Sequence, residues 1–177
     1  MALKDNHIRS KIVLVAGAGQ NVGKTTLICR LISLLSDRGS VVAVKVSSHF
    51  HELTEKQKVI EKRPGFILSE ETDTNSGKDT SRYLQAGAFR SFYVQATDNN
   101  LPVLAAWLNR NINELIICES GALGNVITPG FAIFVGSPAK GKTPNWNFPY
   151  IETVMLNDDF NPTVKEIVKK LENQLNV

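Results

Sequence analysis

The hydrophobic residues of the first third of the chain follow a strand pattern, then a helix pattern, then a strand pattern. Residues 11–16 form a short, β-branched apolar run that is typical of a buried strand. Apolar positions then recur every three or four residues from Lys24 to Arg38, as on one face of a helix, and Gly39 marks its end. Residues 41–46 are again almost entirely apolar. This order predicts a right-handed βαβ unit with parallel strands.

The alternation continues towards the other end of the sequence. We expect Asn161 and Pro162 to begin a last helix with an apolar stripe from Val164 to Leu175. Alternating strands and helices predict an α/β fold with a doubly wound, mostly parallel sheet, and the length suits a single domain over 1–177. The other predicted elements are helices at 79–86 and 102–110 and strands at 89–95, 114–118, 131–135 and 153–156.

Residues 48–78 do not follow this alternation. The segment is polar, has few apolar anchors beyond 59–60 and 66–68, and contains the turn-forming residues Pro64-Gly65 and Asn75-Ser76-Gly77. Long segments without a core pattern are usually functional loops. We therefore expect a polar insertion that forms a mobile loop, with room for a short hairpin. A second polar segment, 136–150, is expected to be a surface loop.

The composition adds little to the choice of function. With 42% apolar and 21% charged residues the chain is expected to fold, and a net charge of +3 gives no reason to expect nucleic acid or a membrane as partner. Cys29 and Cys118 both lie in apolar segments, which indicates buried thiols in a reducing compartment. Since neither a signal peptide nor a membrane-spanning run is evident in the sequence, we expect a cytoplasmic protein.

A glycine-rich loop, residues 17–26, joins the first strand to the first helix. Its spacing matches a P-loop, with Ala18 in place of the first glycine. Backbone N–H groups can surround phosphate oxygens at the positive end of the helix. The Lys24 ammonium can neutralise β- and γ-phosphates and assist catalysis, while the Thr25 hydroxyl suits Mg²⁺. The loop predicts a P-loop nucleoside triphosphate hydrolase fold with nucleotide-binding residues Gly19, Gln20, Asn21, Val22, Gly23, Lys24, Thr25 and Thr26.

Two carboxylates are candidates for metal binding and catalysis. Glu119 follows an apolar run and lies at the carboxyl end of a predicted strand, where it can bind Mg²⁺ opposite Thr25. Gly121 lets the chain pass close to a γ-phosphate, so it is a further nucleotide-binding candidate. Asp79 can serve as an Mg²⁺ ligand or as the N-cap of its helix. Because parallel strands end at one edge of a sheet, we expect the loop, 47–51 and 119–121 to converge there.

Three basic residues lie at the end of the second strand or just after it and are candidates for contacting a substrate or partner. They are Lys45, His49 and His51. Two histidines with no cysteine or third histidine nearby do not complete a zinc site, so a substrate or phosphate contact is the better interpretation of the pair. Lys45 can point into the site, or its stem can cover part of the core.

These motifs together resemble the molybdopterin-guanine dinucleotide biosynthesis protein B family of P-loop proteins. The stretch Gly77–Tyr83, which leads into Ala86-Gly87-Ala88, is the most specific part of the resemblance, because P-loop chemistry does not require it. The resemblance implies a weakly hydrolysing protein that binds Mg²⁺ with ATP or GTP and forms a homodimer. It also implies a partner protein of the cofactor pathway, with which the chain assists guanine dinucleotide formation on the molybdenum cofactor. The other motifs that carry it are Gly23-Lys24-Thr25-Thr26, Lys45 with His49 and His51, and Glu119 with Gly121.

Two alternatives remain open from the sequence. Residues 20–25 and 119–124 also resemble dethiobiotin synthetase, a P-loop enzyme that phosphorylates a carbamate, which implies a small carboxylate substrate near 47–51. The other alternative is a nucleotide-gated regulatory module whose 47–78 loop orders against a partner protein when a γ-phosphate is bound. The Asn-Lys-x-Asp motif that selects guanine in many GTPases is absent, so the choice between ATP and GTP also stays open.

Overall fold

The computed structural model describes residues 11–137 and 143–176. The residues before Lys11 and the middle of the loop expected at 136–150 lie outside these ranges. The helices are α1 (Lys24–Leu35), α2 (Asp79–Gln85), α3 (Leu101–Asn111) and α4 (Val164–Leu175). The strands are β1 (Ile12–Gly17), β2 (Val41–Ser47), β3 (Gln57–Arg63), β4 (Phe66–Glu71), β5 (Arg90–Ala96), β6 (Leu115–Glu119), β7 (Phe131–Val135), β8 (Ile151–Leu156) and β9 (Asp159–Asn161).

The described strands form one sheet in the order β3-β4-β5-β2-β6-β1-β7-β8-β9. Neighbouring strands are parallel from β5 to β8, and β3, β4 and β9 add antiparallel pairs at the two margins. The chain is therefore an α/β protein with a mostly parallel sheet, compatible with the doubly wound arrangement that the alternating pattern predicts.

Two apolar cores hold helices against opposite faces of this sheet. On one face, α1, α2 and α4 contribute buried side chains such as Leu31, Tyr83 and Ile167. On the other face, Leu104 and Leu108 of α3 pack against the even-numbered residues of the central strands. Successive side chains of a strand point to opposite faces, so the continuous apolar runs in the sequence serve both cores at once. Among the described helices, none has the length and apolar character that a membrane span would require.

The segment 48–78, which is expected to form a mobile loop with room for a short hairpin, contains such a hairpin in its middle. Strands β3 and β4 form an antiparallel hairpin there, and β4 pairs with β5 of the central sheet. Phe66 and Leu68 of β4 are fully buried, whereas Val59 and Ile60 of the marginal strand β3 remain exposed. The segment looks polar because only one of its two strands contributes to a core. Irregular chain is left at residues 48–56 and 72–78.

The buried carboxylate of Glu71 fastens the end of this hairpin to the start of α2. It accepts hydrogen bonds from the backbone N–H groups of Thr72 and Asp73 at 3.1 and 2.9 Å. It also accepts the hydroxyl of Thr80, in the first turn of α2, at 3.0 Å. The hairpin therefore helps to set the position of α2 over the sheet.

The last helix begins later than the sequence predicts. Thr163, rather than Asn161 or Pro162, is its N-cap: the Thr163 hydroxyl accepts the N–H of Glu166, whose carboxylate accepts the N–H of Thr163 at 2.8 Å. Asn161 belongs instead to the three-residue strand β9, which is too short to give a periodic pattern.

Candidate functional site

The carboxyl ends of three adjacent strands bring the predicted site residues together. In the central sheet Glu119 of β6 lies beside Val15 of β1 on one side and beside Lys45 of β2 on the other. The glycine-rich loop (residues 17–26) leaves β1 at the same edge and leads into α1. The glycine-rich loop and Glu119 therefore converge at one edge of the sheet, as the positions of the strand ends predict, and Lys45 lies beside Glu119.

The glycine-rich loop adopts a conformation that its small residues make possible. Gly23, the N-cap of α1, has a φ of +99°, and a Cβ there would lie 2.8 Å from the Met155 methyl group. Asn21 has a φ of +57°, which asparagine tolerates better than most residues. The loop is fastened to the sheet by the Ala18 N–H, which donates to the carbonyl of Val135 at 2.9 Å. A bulkier residue at Gly23 would strain this turn.

The start of α1 is well suited to an anion. Its N-cap is a glycine without a side chain, and the first turn carries Lys24, Thr25 and Thr26 and no acidic residue. The unpaired backbone N–H groups at a helix N-terminus carry a partial positive charge, which favours a negatively charged group beside them.

A cavity of about 550 Å³, the site cavity, opens over the loop and the start of α1. The ammonium of Lys24 bends back over the loop and donates to the carbonyl of Gly19 at 2.5 Å. Residues from the loop, α1, β2, α2, β6 and β8 therefore surround one space. Its lining consists of Gln20, Asn21, Gly23, Lys24, Thr25, Thr26, Lys45, Asp79, Arg82, Glu119 and Met155.

The carboxylate of Glu119 is the centre of the polar contacts in this cavity. Only 7% of the residue is exposed. Oε2 accepts the hydroxyl of Thr25 at 3.4 Å and the hydroxyl of Tyr83, and Oε1 accepts the ammonium of Lys45 at 3.2 Å. One carboxylate therefore joins α1, α2 and β2 at the end of β6.

Lys45 lies between two carboxylates. Its ammonium donates to Asp79 Oδ2 as well as to Glu119. Burial by itself disfavours the charged form, but the charges and hydrogen bonds of Glu119 and Asp79 outweigh it and raise the pKa of Lys45 above its usual value. Lys45 therefore keeps its positive charge in the wall of the cavity.

Helix α2 brings one predicted and two unpredicted residues to the site. Asp79 is its first residue and Lys78 its N-cap, so the interpretation of Asp79 as the N-cap is wrong. Arg82 lines the site cavity, and its guanidinium lies 3.7 Å from Asp79 Oδ1. Tyr83 is fully buried and donates to Glu119. Burial, together with the negative charge of Glu119, raises the pKa of Tyr83 well above its usual value of 10.0.

Arg82 and Tyr83 are absent from the candidate residues that the sequence provides. Both belong to the Gly77–Tyr83 stretch that carries the family resemblance, and that stretch was the available signal. An arginine on a short helix ordinarily indicates a solvated face, and a tyrosine on the apolar side ordinarily indicates core. Tyr83 does belong to the core, and only its hydroxyl takes part in the site.

The two histidines lie at the side of the site rather than in it. Both are exposed, with ring centroids 6.5 Å apart. The backbone N–H of His51 donates to the buried side chain of Gln95. His51 also lines a second cavity of about 370 Å³, the side cavity, which shares Lys45 and Asp79 with the site cavity. The side cavity is lined by Lys45, His51, Glu52, Gln57, Gly77, Lys78, Asp79, Thr80 and Tyr93.

Three of the predicted nucleotide-binding residues lie outside the lining of the site cavity. Gly19 contributes its carbonyl to Lys24, and Val22 packs against the apolar core beneath the loop. Gly121 is exposed, and a Cβ at that position would meet no described atom within 4 Å. The described residues also contain no group of three or more His, Cys, Asp or Glu side chains placed to hold a metal ion.

No family model matches this chain, and comparisons with curated proteins and with solved structures return no match either. The function is therefore inferred from the residues of the site and from the sequence motifs.

Replacement of Tyr83 by phenylalanine tests the contact with Glu119. We expect the free energy of unfolding to fall by about 1.5–3 kcal/mol, the usual range for a hydrogen bond to a charged group. In the unfolded chain this tyrosine ionises near its usual pKa of 10.0, whereas the folded chain keeps it protonated to higher pH. The stability that Tyr83 adds is therefore complete below pH 10.0 and declines as the pH rises above that value. Urea unfolding at several pH values measures both effects.

The control is Tyr93→Phe, which changes a half-buried tyrosine of β5 that has no contact with Glu119 among the described hydrogen bonds. We expect it to change the free energy of unfolding by less than about 0.5 kcal/mol. A Tyr83→Phe chain as stable as the wild type at neutral pH would show that the hydroxyl contributes nothing to the site.

Proposed function

We propose that this chain binds a nucleoside triphosphate together with Mg²⁺ in the site cavity and hydrolyses it slowly. The observation that carries the proposal is the contact between the Thr25 hydroxyl and the Glu119 carboxylate, 3.4 Å apart, beside a glycine-rich loop at the start of a helix. This combination supplies oxygen ligands for a hard cation and N–H donors for phosphates within one space.

The loop and α1 would hold the phosphates. Backbone N–H groups at the start of α1 favour anionic oxygens, and Lys24 adds a mobile positive charge above them. Two further cations, Lys45 and Arg82, line the same cavity. Their positive charges would stabilise the negative charge on the oxygens of the terminal phosphate during phosphoryl transfer. The P-loop fold that the sequence predicts is part of this proposal.

Thr25, Glu119 and Asp79 would hold the metal, and phosphate oxygens and water would complete its shell. Bound Mg²⁺ would neutralise phosphate charge and orient the terminal group. Glu119 is poorly placed to activate an attacking water, since its oxygens already accept from Thr25, Tyr83 and Lys45. An enzyme without a free general base loses a large part of its rate, so this arrangement favours slow turnover.

For the biological role, we propose membership of the molybdopterin-guanine dinucleotide biosynthesis protein B family, with a partner protein of that pathway. The Gly77–Tyr83 stretch, the most specific part of the resemblance, reaches this cavity: Asp79 and Arg82 line it, and Tyr83 donates to Glu119. Under this proposal the chain is an accessory protein, a homodimer, that assists guanine dinucleotide formation on the molybdenum cofactor and uses ATP or GTP.

Isothermal titration with ATP and with GTP, in the presence of Mg²⁺, tests the central part of this proposal. We expect binding of at least one of the two nucleotides. Lys24→Ala should weaken it by about tenfold or more, equivalent to about 1.4 kcal/mol, because a charge next to the phosphates is lost. The matched control is Arg30→Ala on the same helix, whose guanidinium pairs with Asp159 outside the cavity and whose loss should leave binding unchanged. Absence of binding for both nucleotides would contradict the proposal.

The side cavity favours a second candidate function, phosphoryl transfer to a small acceptor. This cavity meets the site cavity at Lys45 and Asp79, the part of the wall next to the proposed metal ligands. An acceptor held there by Lys78 and His51 would face the terminal phosphate. A small carboxylate, as in the dethiobiotin synthetase alternative, suits these basic side chains.

Turnover measurements separate the two candidates. Under the accessory role, nucleotide hydrolysis should be unaffected by diaminopelargonate with bicarbonate and should rise only when a partner protein is added. Marked stimulation by the two small molecules would instead support the synthetase-like enzyme. His51→Ala, which alters only the side cavity, should then abolish that stimulation and leave basal hydrolysis unchanged.

A further inference from the structure

The ammonium of Lys45 occupies the space between the two carboxylates expected to bind metal. It contacts Asp79 Oδ2 directly and lies 3.2 Å from Glu119 Oε1. A metal ion shared by the same two oxygens would require that space. The lysine and the divalent cation therefore compete for one pair of carboxylates.

The other cations that line the site cavity do not contact both carboxylates. Lys24 donates to the carbonyl of Gly19. Arg82 reaches only the far oxygen of Asp79, at 3.7 Å. Lys45 alone among the cavity's cations bridges Asp79 and Glu119 in the described residues, and its backbone is fixed beside Glu119 by the sheet.

The side chain of Lys45 also has room to move away from the carboxylates. Its side chain is 24% exposed and lines both the site cavity and the side cavity. A long side chain on a fixed strand can change its anionic partner by rotating a few bonds, without any movement of the sheet. A terminal phosphate in the site cavity would offer the ammonium such a partner.

We propose that Lys45 makes metal binding depend on the triphosphate. In the free protein its ammonium excludes a divalent cation from Asp79 and Glu119. A bound terminal phosphate draws the ammonium away and so opens the two carboxylates to the metal. The release of Lys45 by a terminal phosphate rests on the proposed function, whereas the exclusion of metal in the free protein does not. It follows that free metal binds weakly, and that metal and triphosphate bind better together than either does alone.

Metal binding without nucleotide tests the exclusion directly, with Tb³⁺ as the probe. Tb³⁺ takes oxygen ligands, and the Tyr83 hydroxyl bound to Glu119 places an aromatic ring near enough to sensitise its luminescence. We expect Lys45→Met to bind Tb³⁺ about tenfold or more tightly than the wild type, because removal of the ammonium frees Asp79 Oδ2 and Glu119 Oε1 for the metal. Lys45→Gln carries the same expectation and serves if the methionine variant folds poorly, as judged by thermal unfolding.

Two controls define the source of any gain. Lys24→Met removes a cation of the same cavity that contacts no carboxylate among the described residues, so it should leave Tb³⁺ affinity near that of the wild type. Addition of Glu119→Gln to Lys45→Met should abolish the gain, since one of the two carboxylates is then lost. Equal Tb³⁺ affinity in the wild type and in both Lys45 variants would overturn the inference.

A second titration tests whether a terminal phosphate draws the Lys45 ammonium away from the carboxylates. With Mg²⁺ present, the wild type should prefer ATP or GTP to the corresponding diphosphate, and Lys45→Met should lose most of that preference while it keeps its affinity for the diphosphate. An unchanged preference for the triphosphate would overturn the proposed contact between Lys45 and the terminal phosphate. If the wild type binds no nucleotide but Lys45→Met gains Tb³⁺ affinity, the proposed function fails and the exclusion by Lys45 stands.

Discussion

One buried negative charge organises the functional end of this protein. A carboxylate removed from water is costly unless it is paired and hydrogen-bonded. Glu119, at the end of a central strand, meets that requirement through Thr25, Lys45 and Tyr83, which come from α1, β2 and α2. Because each partner belongs to a different element, the docking of both helices on the sheet is coupled to the charge of the site. A shift of either helix would deprive this carboxylate of one of its three donors.

The rest of the fold holds those partners in place. Apolar residues of α1 and α2 share one core on the sheet face beneath the site, so their side chains reach Glu119 from a rigid base. The β3–β4 hairpin adds a restraint from the side, because the buried carboxylate of Glu71 binds Thr80 in the first turn of α2. Asp79, Arg82 and Tyr83 thus depend for their positions on a segment that has no part in the site.

Sequence periodicity was sufficient for the central part of this architecture and insufficient at its margins. Continuous apolar runs and helical stripes predicted the inner strands and the helices α1, α3 and α4, since those elements bury enough side chains to leave a pattern. Strand β3 leaves Val59 and Ile60 exposed at an edge, so its residues resemble a polar loop. The position of Glu119 at a strand end predicted that it would lie near the glycine-rich loop, because sheet geometry alone brings the carboxyl ends of parallel strands together. The contacts of Tyr83 and the bridging position of Lys45 depend on side-chain directions across three elements, which linear spacing does not encode.

The most direct test of the proposed function is a crystal structure with Mg²⁺ and a non-hydrolysable triphosphate, adenylyl or guanylyl imidodiphosphate. We expect the phosphates within the loop at residues 19–26, the metal bound to Thr25, Asp79 and Glu119, and the Lys45 ammonium on the terminal phosphate. A nucleotide whose phosphates lie away from this loop, or a metal that contacts neither Thr25 nor Glu119, would contradict the proposed function.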